Sequence, residues 1–212
     1  VFANIVLAAE INRATPKTQS ALLEAMQEKQ VTVGVTTYKL ELPFFVLATM
    51  NPIEMEGTYP LPEAQADRFL LKIRVTYPSY DEEMEIVNRY AAQPSEVRLR
   101  SVLSKDQVME LQNLTRQVPI ASELKQAVVK LVFSTRDKKD IIEYGASPRA
   151  SIGLVLAAKA RALIRGRNHV SFEDIKAMAF PVLRHRIILN FEAERKGLTA
   201  EEAIKTLLDK IK

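Results

Sequence analysis

The chain of 212 residues contains no cysteine and no tryptophan, only two histidines and six glycines. Without thiols there are no disulfides and no thiolate metal site, and His169 and His185 alone do not build a histidine-rich centre, so no metal site is expected. The missing cysteines fit a reducing compartment, and a cytoplasmic protein is the expectation. No apolar run approaches the ~18 to 20 residues of a membrane-spanning helix. The first residues also lack the charged head, apolar core and cleavage site of a secretory signal. The glycines stand singly, so a Gly-x-x-x-x-Gly-Lys-[Ser/Thr] loop, which cradles phosphates with successive backbone N–H groups, occurs nowhere. The chain opens on Val1 and enters an apolar run within four residues; it reads as a piece of a longer protein.

What is present is ordinary for a globular protein: 47% hydrophobic and 26% charged residues, enough for one large domain or two small ones. Residues 1–100 carry 10 basic against 13 acidic groups and residues 101–212 carry 20 against 13, so the net charge of +4 lives in the second half. A surplus of that size fits an anionic partner or a solvated helical surface. No aromatic-basic motif accompanies it, so the solvated surface is favoured and nucleic acid is not expected as a partner.

Ile5, Val6, Leu7 and Ala8 form a short apolar run that ends in Glu10, Asn12 and Arg13. A buried strand delivering charged groups at its C-terminal end is where open α/β sheets place their ligands, which makes Glu10 the first functional candidate. Thr15-Pro16 is a helix start, a hydroxyl cap followed by proline, and Leu22, Ala25 and Met26 continue at helical spacing through Glu28. From Gln30 to Leu42 the period drops to two around Gly34, the pattern of a β-hairpin. Phe44 to Thr49 is continuous and apolar, the signature of a strand buried on both faces, and it delivers Asn51 before Pro52 turns the chain away. An irregular loop, Ile53 to Pro62, leads to one or two helical turns over Glu63 to Phe69 that expose Asp67 and Arg68. Leu70 to Val75 is expected as a third strand. Ser79 and Glu82 open a helix with a capping box, its inner side carrying Ile86, Val87, Tyr90 and Ala91. Gln93 to Arg100 has no period, and a boundary is placed there, dividing residues 1–100 from residues 101–212.

From Ser104 onward every signal is helical. Helices are expected to start at Ser104, Ser122, Ser147-Pro148, Ser171 and Thr199; the third stops at Gly166 and the fourth bends at Pro181. Their stripes, including Val108, Leu111 and Leu114, then Val128, Leu131 and Val132, then Ile152, Val155 and Leu156, form the core of a helical bundle.

Four motifs occur in order: Glu10-Ile11-Asn12-Arg13, Ala48-Thr49-Met50-Asn51-Pro52, Leu61-Pro62-Glu63-Ala64-Gln65-Ala66-Asp67-Arg68-Phe69 and Gly145-Ala146-Ser147-Pro148-Arg149. Together, with the hairpin just before the Asn51 strand, they resemble the MoxR family of AAA+ ATPases over essentially the whole chain. The resemblance implies an α/β fold, part of a three-layer AAA+ P-loop-type core followed by an α-helical lid. It implies ATP and Mg²⁺ as ligands, a homo-oligomeric ring and protein clients. Glu10 then matches the Walker B glutamate that polarises the attacking water, a role a carboxylate at a strand end can fill. Asn51 matches sensor 1, whose amide reaches that water or the γ-phosphate. Arg68 looks like the arginine finger acting on the neighbouring subunit's nucleotide. Arg149 resembles sensor 2, reaching phosphates from a lid helix. The hairpin is similar to the pre-sensor 1 insertion.

Read singly, each of these residues has a plainer role. Arg68 and Arg149 can be solvated, Asp67 can form a surface ion pair with Arg68, Arg13 is assigned a structural role, His169 and His185 are packing or surface residues, and Glu54 and Glu56 sit in a solvated loop. The sequence also departs from the family. Ala9 stands where the family has an aspartate that helps hold Mg²⁺, and a methyl group is no acceptor. The P-loop would lie upstream of Val1, its strand between the Asn51 strand and the Leu70 strand. By itself the polypeptide is expected neither to bind ATP tightly nor to hydrolyse it. The opposing reading is an interaction module that has lost catalysis; a natural and an introduced Ala9 both fit the sequence.

Overall fold

The computed structural model describes residues 2–51, 57–91 and 99–211. Glu54 and Glu56 of the loop, and residues 92–98 of the expected boundary, lie outside the described residues.

Strand β1 (Ile5–Ala8) pairs in parallel with β4 (Phe45–Ala48), Ile5 opposite Phe45 and Ala8 opposite Ala48. Between them run helix α1 (Pro16–Glu28) and the hairpin of β2 (Gln30–Val33) and β3 (Thr36–Lys39). Gly34 turns the hairpin at φ +63°, a left-handed conformation that suits a residue without Cβ. Thr15 precedes α1, but its hydroxyl meets that of Thr18 at 3.1 Å and caps no backbone N–H. Val6, Ala8 and Val46 point to one face of the sheet, where Leu22, Ala25 and Met26 of α1 join Leu40 and Phe44 in a small core. Strand alternation sends Ile5, Leu7, Phe45 and Leu47 the other way. These are exposed, Ile5 at 66% and Leu7 at 64%. The expectation that the Phe44–Thr49 strand is buried on both faces is therefore corrected: among the described residues α1 covers one face and nothing covers the other.

Helix α2 (Glu63–Ala66) is a single turn. The third strand expected over residues 70–75 is not formed. A strand needs a ladder; here the backbone finds helical partners instead, Lys72 N–H donating to Pro181 O at 2.8 Å and Arg184 Nη1 to Lys72 O at 3.1 Å. Helix α3 (Tyr80–Tyr90) starts at the Ser79/Glu82 capping box, but Met84, Ile86, Val87 and Tyr90 are exposed, so its apolar side is not an inner one among the described residues.

The second half is dominated by α4 (Lys105–Gln117), α5 (Ser122–Asp137), α6 (Pro148–Ile164), α7 (Phe172–Leu183), α8 (Phe191–Arg195) and α9 (Ala200–Leu208). Not everything is helical: β5 (Ile142–Tyr144) and β6 (Ile188–Leu189) form an antiparallel ribbon. These pieces are too short for a two-residue period to register in the sequence. Capping boxes at Ser104, Ser171 and Thr199 set three of the helix starts, and α5 starts at Ser122 with Ala121 in the N-cap position and no side-chain cap bond. Helix α7 carries Pro181 and ends two residues later.

The buried stripe of α6 is only partly the expected one: Val155 packs against the core. Ile152 is exposed, and the covered face is built from Ala150, Gly153, Leu154, Ala157, Ala158 and Ala162. Small residues let α6 lie close to α5 and α7, and Val128, Leu131, Val132, Ile175, Val182 and Leu183 fill the seams. Leu111 and Leu114 of α4 remain partly exposed. Asp174, fully buried, is satisfied by Arg161, by Arg167 at 2.7 Å and by Ser171 N–H and Oγ at 2.9 Å. Burial pushes its carboxyl pKa up, but these cationic and neutral donors outweigh that and hold it well below the usual carboxylate range.

Candidate functional site

The sheet delivers the first cluster. Past its last paired residue, β1 continues beside β4: Thr49 N–H donates to Ala8 O at 3.0 Å, and Ile11 N–H to Thr49 O at 2.9 Å. Between these two rungs the Glu10 N–H donates to Thr49 Oγ1 at 3.0 Å. Glu10 itself adopts φ 49°, ψ 54°, the left-handed region, which costs a residue with a Cβ about 1 kcal/mol. Such strain persists where the surroundings enforce it, and it marks a candidate functional position. The chain then closes a 3₁₀ turn over Ile11–Arg13. Buried Gln19 of α1 fixes that turn, its Nε2 donating to Ile11 O at 3.1 Å and to Tyr59 O at 2.9 Å. Asn51 lies two residues beyond Thr49, so the parallel register brings Glu10 and Asn51 to the same end of the sheet.

The Glu10 carboxylate meets Arg13 Nε at 3.1 Å, both side chains about half exposed. An exposed pair of this kind is worth about 0–1 kcal/mol and exchanges readily. Arg13 thus belongs to the Glu10 cluster. Ala9, beside it, is exposed and offers no acceptor. Among the described residues Glu10 is the only carboxylate on the strand end, and they contain no group of three or more metal-binding side chains. These residues do not fit a side-chain-held Mg²⁺.

A second cluster joins α2 to the start of α6. The expectation that Asp67 is exposed and pairs with Arg68 is corrected: the Asp67 side chain is 14% accessible and turns to the helical bundle. It accepts from Ser147 Oγ at 2.8 Å, Arg149 Nη1 at 3.2 Å and Arg186 Nε at 2.8 Å. Burial works to raise its pKa, but the donors at Ser147, Arg186 and Arg149 prevail and keep it lowered. Ser147, the cap of α6, also accepts from Arg149 N–H at 3.2 Å. Arg149, on the first turn of α6, is half exposed and engaged by Asp67. Arg68 points away from Asp67 and donates from Nη1 to Gln27 Oε1 on the last turn of α1.

Arg186, not singled out in the sequence, is the buried centre of this cluster, with only 3% of its side chain accessible. Next to it, the Nε2 of His185 lies 3.0 Å from Phe69 O. A carbonyl only accepts, so Nε2 carries the proton and the buried Nδ1 has no hydrogen-bond partner. Burial, then the adjacent Arg186 charge, lowers the His185 pKa to about 4. The signal available in the sequence was the dense cationic run Arg184-His185-Arg186 directly after the apolar end of α7. Thr49 and Gln27 carry no such signal.

A family model described as the ATPase family associated with various cellular activities (AAA) matches residues 1–71, and one for the AAA lid domain matches residues 135–207. The chain is 44% identical to the chaperone MoxR1 of Mycobacterium tuberculosis over 219 residues and 44% identical to the YeaC protein of Bacillus subtilis over 212 residues. All of this chain is matched in both, and it spans 58% and 66% of those two relatives. It also superposes over its whole length on a crystal structure of a candidate ATPase from Cytophaga hutchinsonii, with a TM-score of 0.93, 47% identity and 67% of that chain covered. Over both its α/β part and its helical part, the chain belongs to the MoxR family of AAA+ ATPases.

Proposed function

We propose that this chain is the Walker B to lid portion of an ATPase that couples ATP hydrolysis to remodelling or maturation of client proteins, in a cytoplasmic, ring-forming homo-oligomer. Residues 1–100 belong to the α/β core and residues 101–212 to the lid. The observation that carries the reading is the shared sheet end of Glu10 and Asn51, locked by the Glu10 N–H to Thr49 Oγ1 bond of 3.0 Å. Hydrolysis of a phosphoanhydride needs a water held in line and the developing charge neutralised. Glu10 orients and deprotonates the water once Arg13 releases it, and Asn51 fixes the water or the terminal phosphate. Arg149 reaches the phosphates from the lid after leaving Asp67, and Arg68 acts across a subunit boundary, its exposure at the surface supporting that direction. Mg²⁺ would neutralise phosphate charge in such a reaction. With Ala9 in place, the described side chains give it no site, and none of these roles depends on it.

The relative named a chaperone supports a protein client. A second reading, an interaction module without hydrolysis, is favoured by one observation, the methyl group of Ala9. Phosphate release from ATP separates the two. The full-length protein is expected to turn ATP over, with loss in Glu10→Gln and Asn51→Ala, while the 212-residue chain alone is expected to be silent. A full-length protein that binds no nucleotide, even with Ala9→Asp, would remove the assignments of Glu10, Asn51 and Arg149.

A further inference from the structure

We propose that Arg186 is a positioning residue for Arg68: it fastens the segment that carries Arg68 to the lid, so that a movement of the lid moves the finger. This rests on the reading of Arg68 as a group acting on a neighbouring subunit.

The guanidinium has five N–H groups in a planar fork. All five are used. Nε donates to Asp67 Oδ1 at 2.8 Å, Nη2 to Asp67 O at 3.0 Å and to Phe69 O at 2.6 Å, and Nη1 to Leu70 O at 3.1 Å and to Val182 O. Four of the five acceptors therefore lie on residues 67–70, and the carbonyls on both sides of Arg68 are held by the same nitrogen. The following residues are secured by the same end of α7, through His185 to Phe69 O and through the Lys72 and Pro181 backbone. Residues 70–75 belong to no strand, so no sheet ladder of their own fixes them. The Asp67 carboxylate that receives Arg186 also receives Ser147 and Arg149 from α6. One carboxylate thus joins the lid arginine that faces a subunit's own nucleotide to the segment whose next residue faces its neighbour's.

A lysine keeps the charge but supplies three N–H groups from one point, so it cannot span these acceptors. The test uses full-length protein with Ala9→Asp in every subunit, a change at an exposed position beside Glu10 that is common to all variants compared and lies outside the Asp67–Arg186 cluster. Arg186→Lys is expected to retain far-ultraviolet circular dichroism and nucleotide Kd within about threefold, and to lose about 100-fold in turnover, the scale of a misplaced catalytic group. Subunits carrying Arg186→Lys are then mixed with subunits carrying Glu10→Gln. Interfaces that combine the intact Glu10 of the first with the well-placed Arg68 of the second should raise turnover above both parents. A merely structural defect, spoiling the variant's own site, gives no such rescue.

Arg68→Ala mixed with Glu10→Gln is the control. If that pair fails to complement, the finger reading of Arg68 falls. If it complements while Arg186→Lys keeps full turnover, or loses turnover without rescue, the coupling falls alone. Where Arg186→Lys does not fold, Asp67→Asn takes its place in the same mixtures with the same outcomes. A parent without turnover overturns the ATPase reading and this inference with it.

Discussion

The backbone N–H of Glu10 donates to the side-chain oxygen of Thr49 at 3.0 Å, so the conformation of one strand end is dictated by a hydroxyl on the other. That bond, with the backbone rungs on either side of it, holds Glu10 in its left-handed conformation. Thr49→Val keeps the shape and removes the acceptor. Loss of the bond is expected to cost about 1 kcal/mol of stability. With Glu10 in its proposed role, turnover by the full-length protein should fall by about tenfold or more at unchanged nucleotide affinity, because displacement of the carboxylate would affect the attacking water and not ground-state binding. Wild-type turnover in Thr49→Val would show that Glu10 is placed without Thr49.

Ala9 sits on the same strand end with its methyl group exposed. Ala9→Asp therefore introduces a carboxylate without burying it, and the cost to folding is expected to stay within about 0.5 kcal/mol, as for ordinary surface changes. Chemically, the change adds the oxygen acceptor that a hydrated divalent cation needs. In the full-length protein it is expected to increase magnesium-dependent phosphate release at least tenfold, and to sharpen the dependence of turnover on magnesium concentration. Equal magnesium titrations of the two proteins would show that position 9 does not govern the metal.

The parts of this structure legible in the sequence are those fixed by local rules. Helix starts at Ser79, Ser104 and Thr199 are read from a hydroxyl followed three residues later by Glu or Gln, and all three form capping boxes. Glu10 and Asn51 are legible as polar ends of apolar runs, and the parallel pairing of β1 with β4 puts them at one edge. The errors arise where partners are remote. Residues 70–75 have a strand-like composition, but their backbone bonds go to α7, more than one hundred residues away. Asp67 reads as the natural surface partner of its neighbour Arg68, whereas three donors from the bundle claim it. Arg186 has five acceptors, and the four on residues 67–70 cannot be inferred from its own neighbourhood in sequence without knowing that this segment crosses it.

His185 gives this contact a pH dependence. Its folded pKa, about 4, lies below the ordinary value of 6.5 because burial and then the Arg186 charge disfavour the imidazolium. Between those values the unfolded chain binds more protons than the folded one, so stability falls as pH drops from about 6.5 toward 4, by about 3 kcal/mol at the lower end. Asp67 and Asp174, whose folded pKa values are depressed, contribute stability that is present above about pH 4 and lost only below it. The two windows are therefore separable. Urea denaturation followed from pH 7 to pH 4 should show the slope in the native protein. His185→Gln keeps an N–H for Phe69 O and should flatten the slope; an unchanged slope would place the titration elsewhere.

Gly145, three residues before α6 begins, shows how closely the lid motif is laid on its neighbour. A Cβ there would lie 2.7 Å from Arg136 N and from the Thr135 carbonyl carbon and oxygen, all backbone atoms with no rotamer to give way. The following residue is pinned from both sides, Ala146 N–H donating to Thr135 Oγ1 at 2.9 Å and Ala146 O accepting from Arg136 Nε at 2.8 Å. Gly145→Ala must push the strand off α5 or break these bonds, at about 1–3 kcal/mol. The displaced residues lead directly into Ser147 and Arg149, the two α6 donors to Asp67. Thermal melts are expected to show a loss of about 5 °C or more. Hydrogen exchange should show faster exchange at the start of α6, with the far end of that helix unaffected. A variant with native melting temperature and native protection at Arg149 would mean that the contact between α5 and the Gly145 segment does not set the place of the lid arginine.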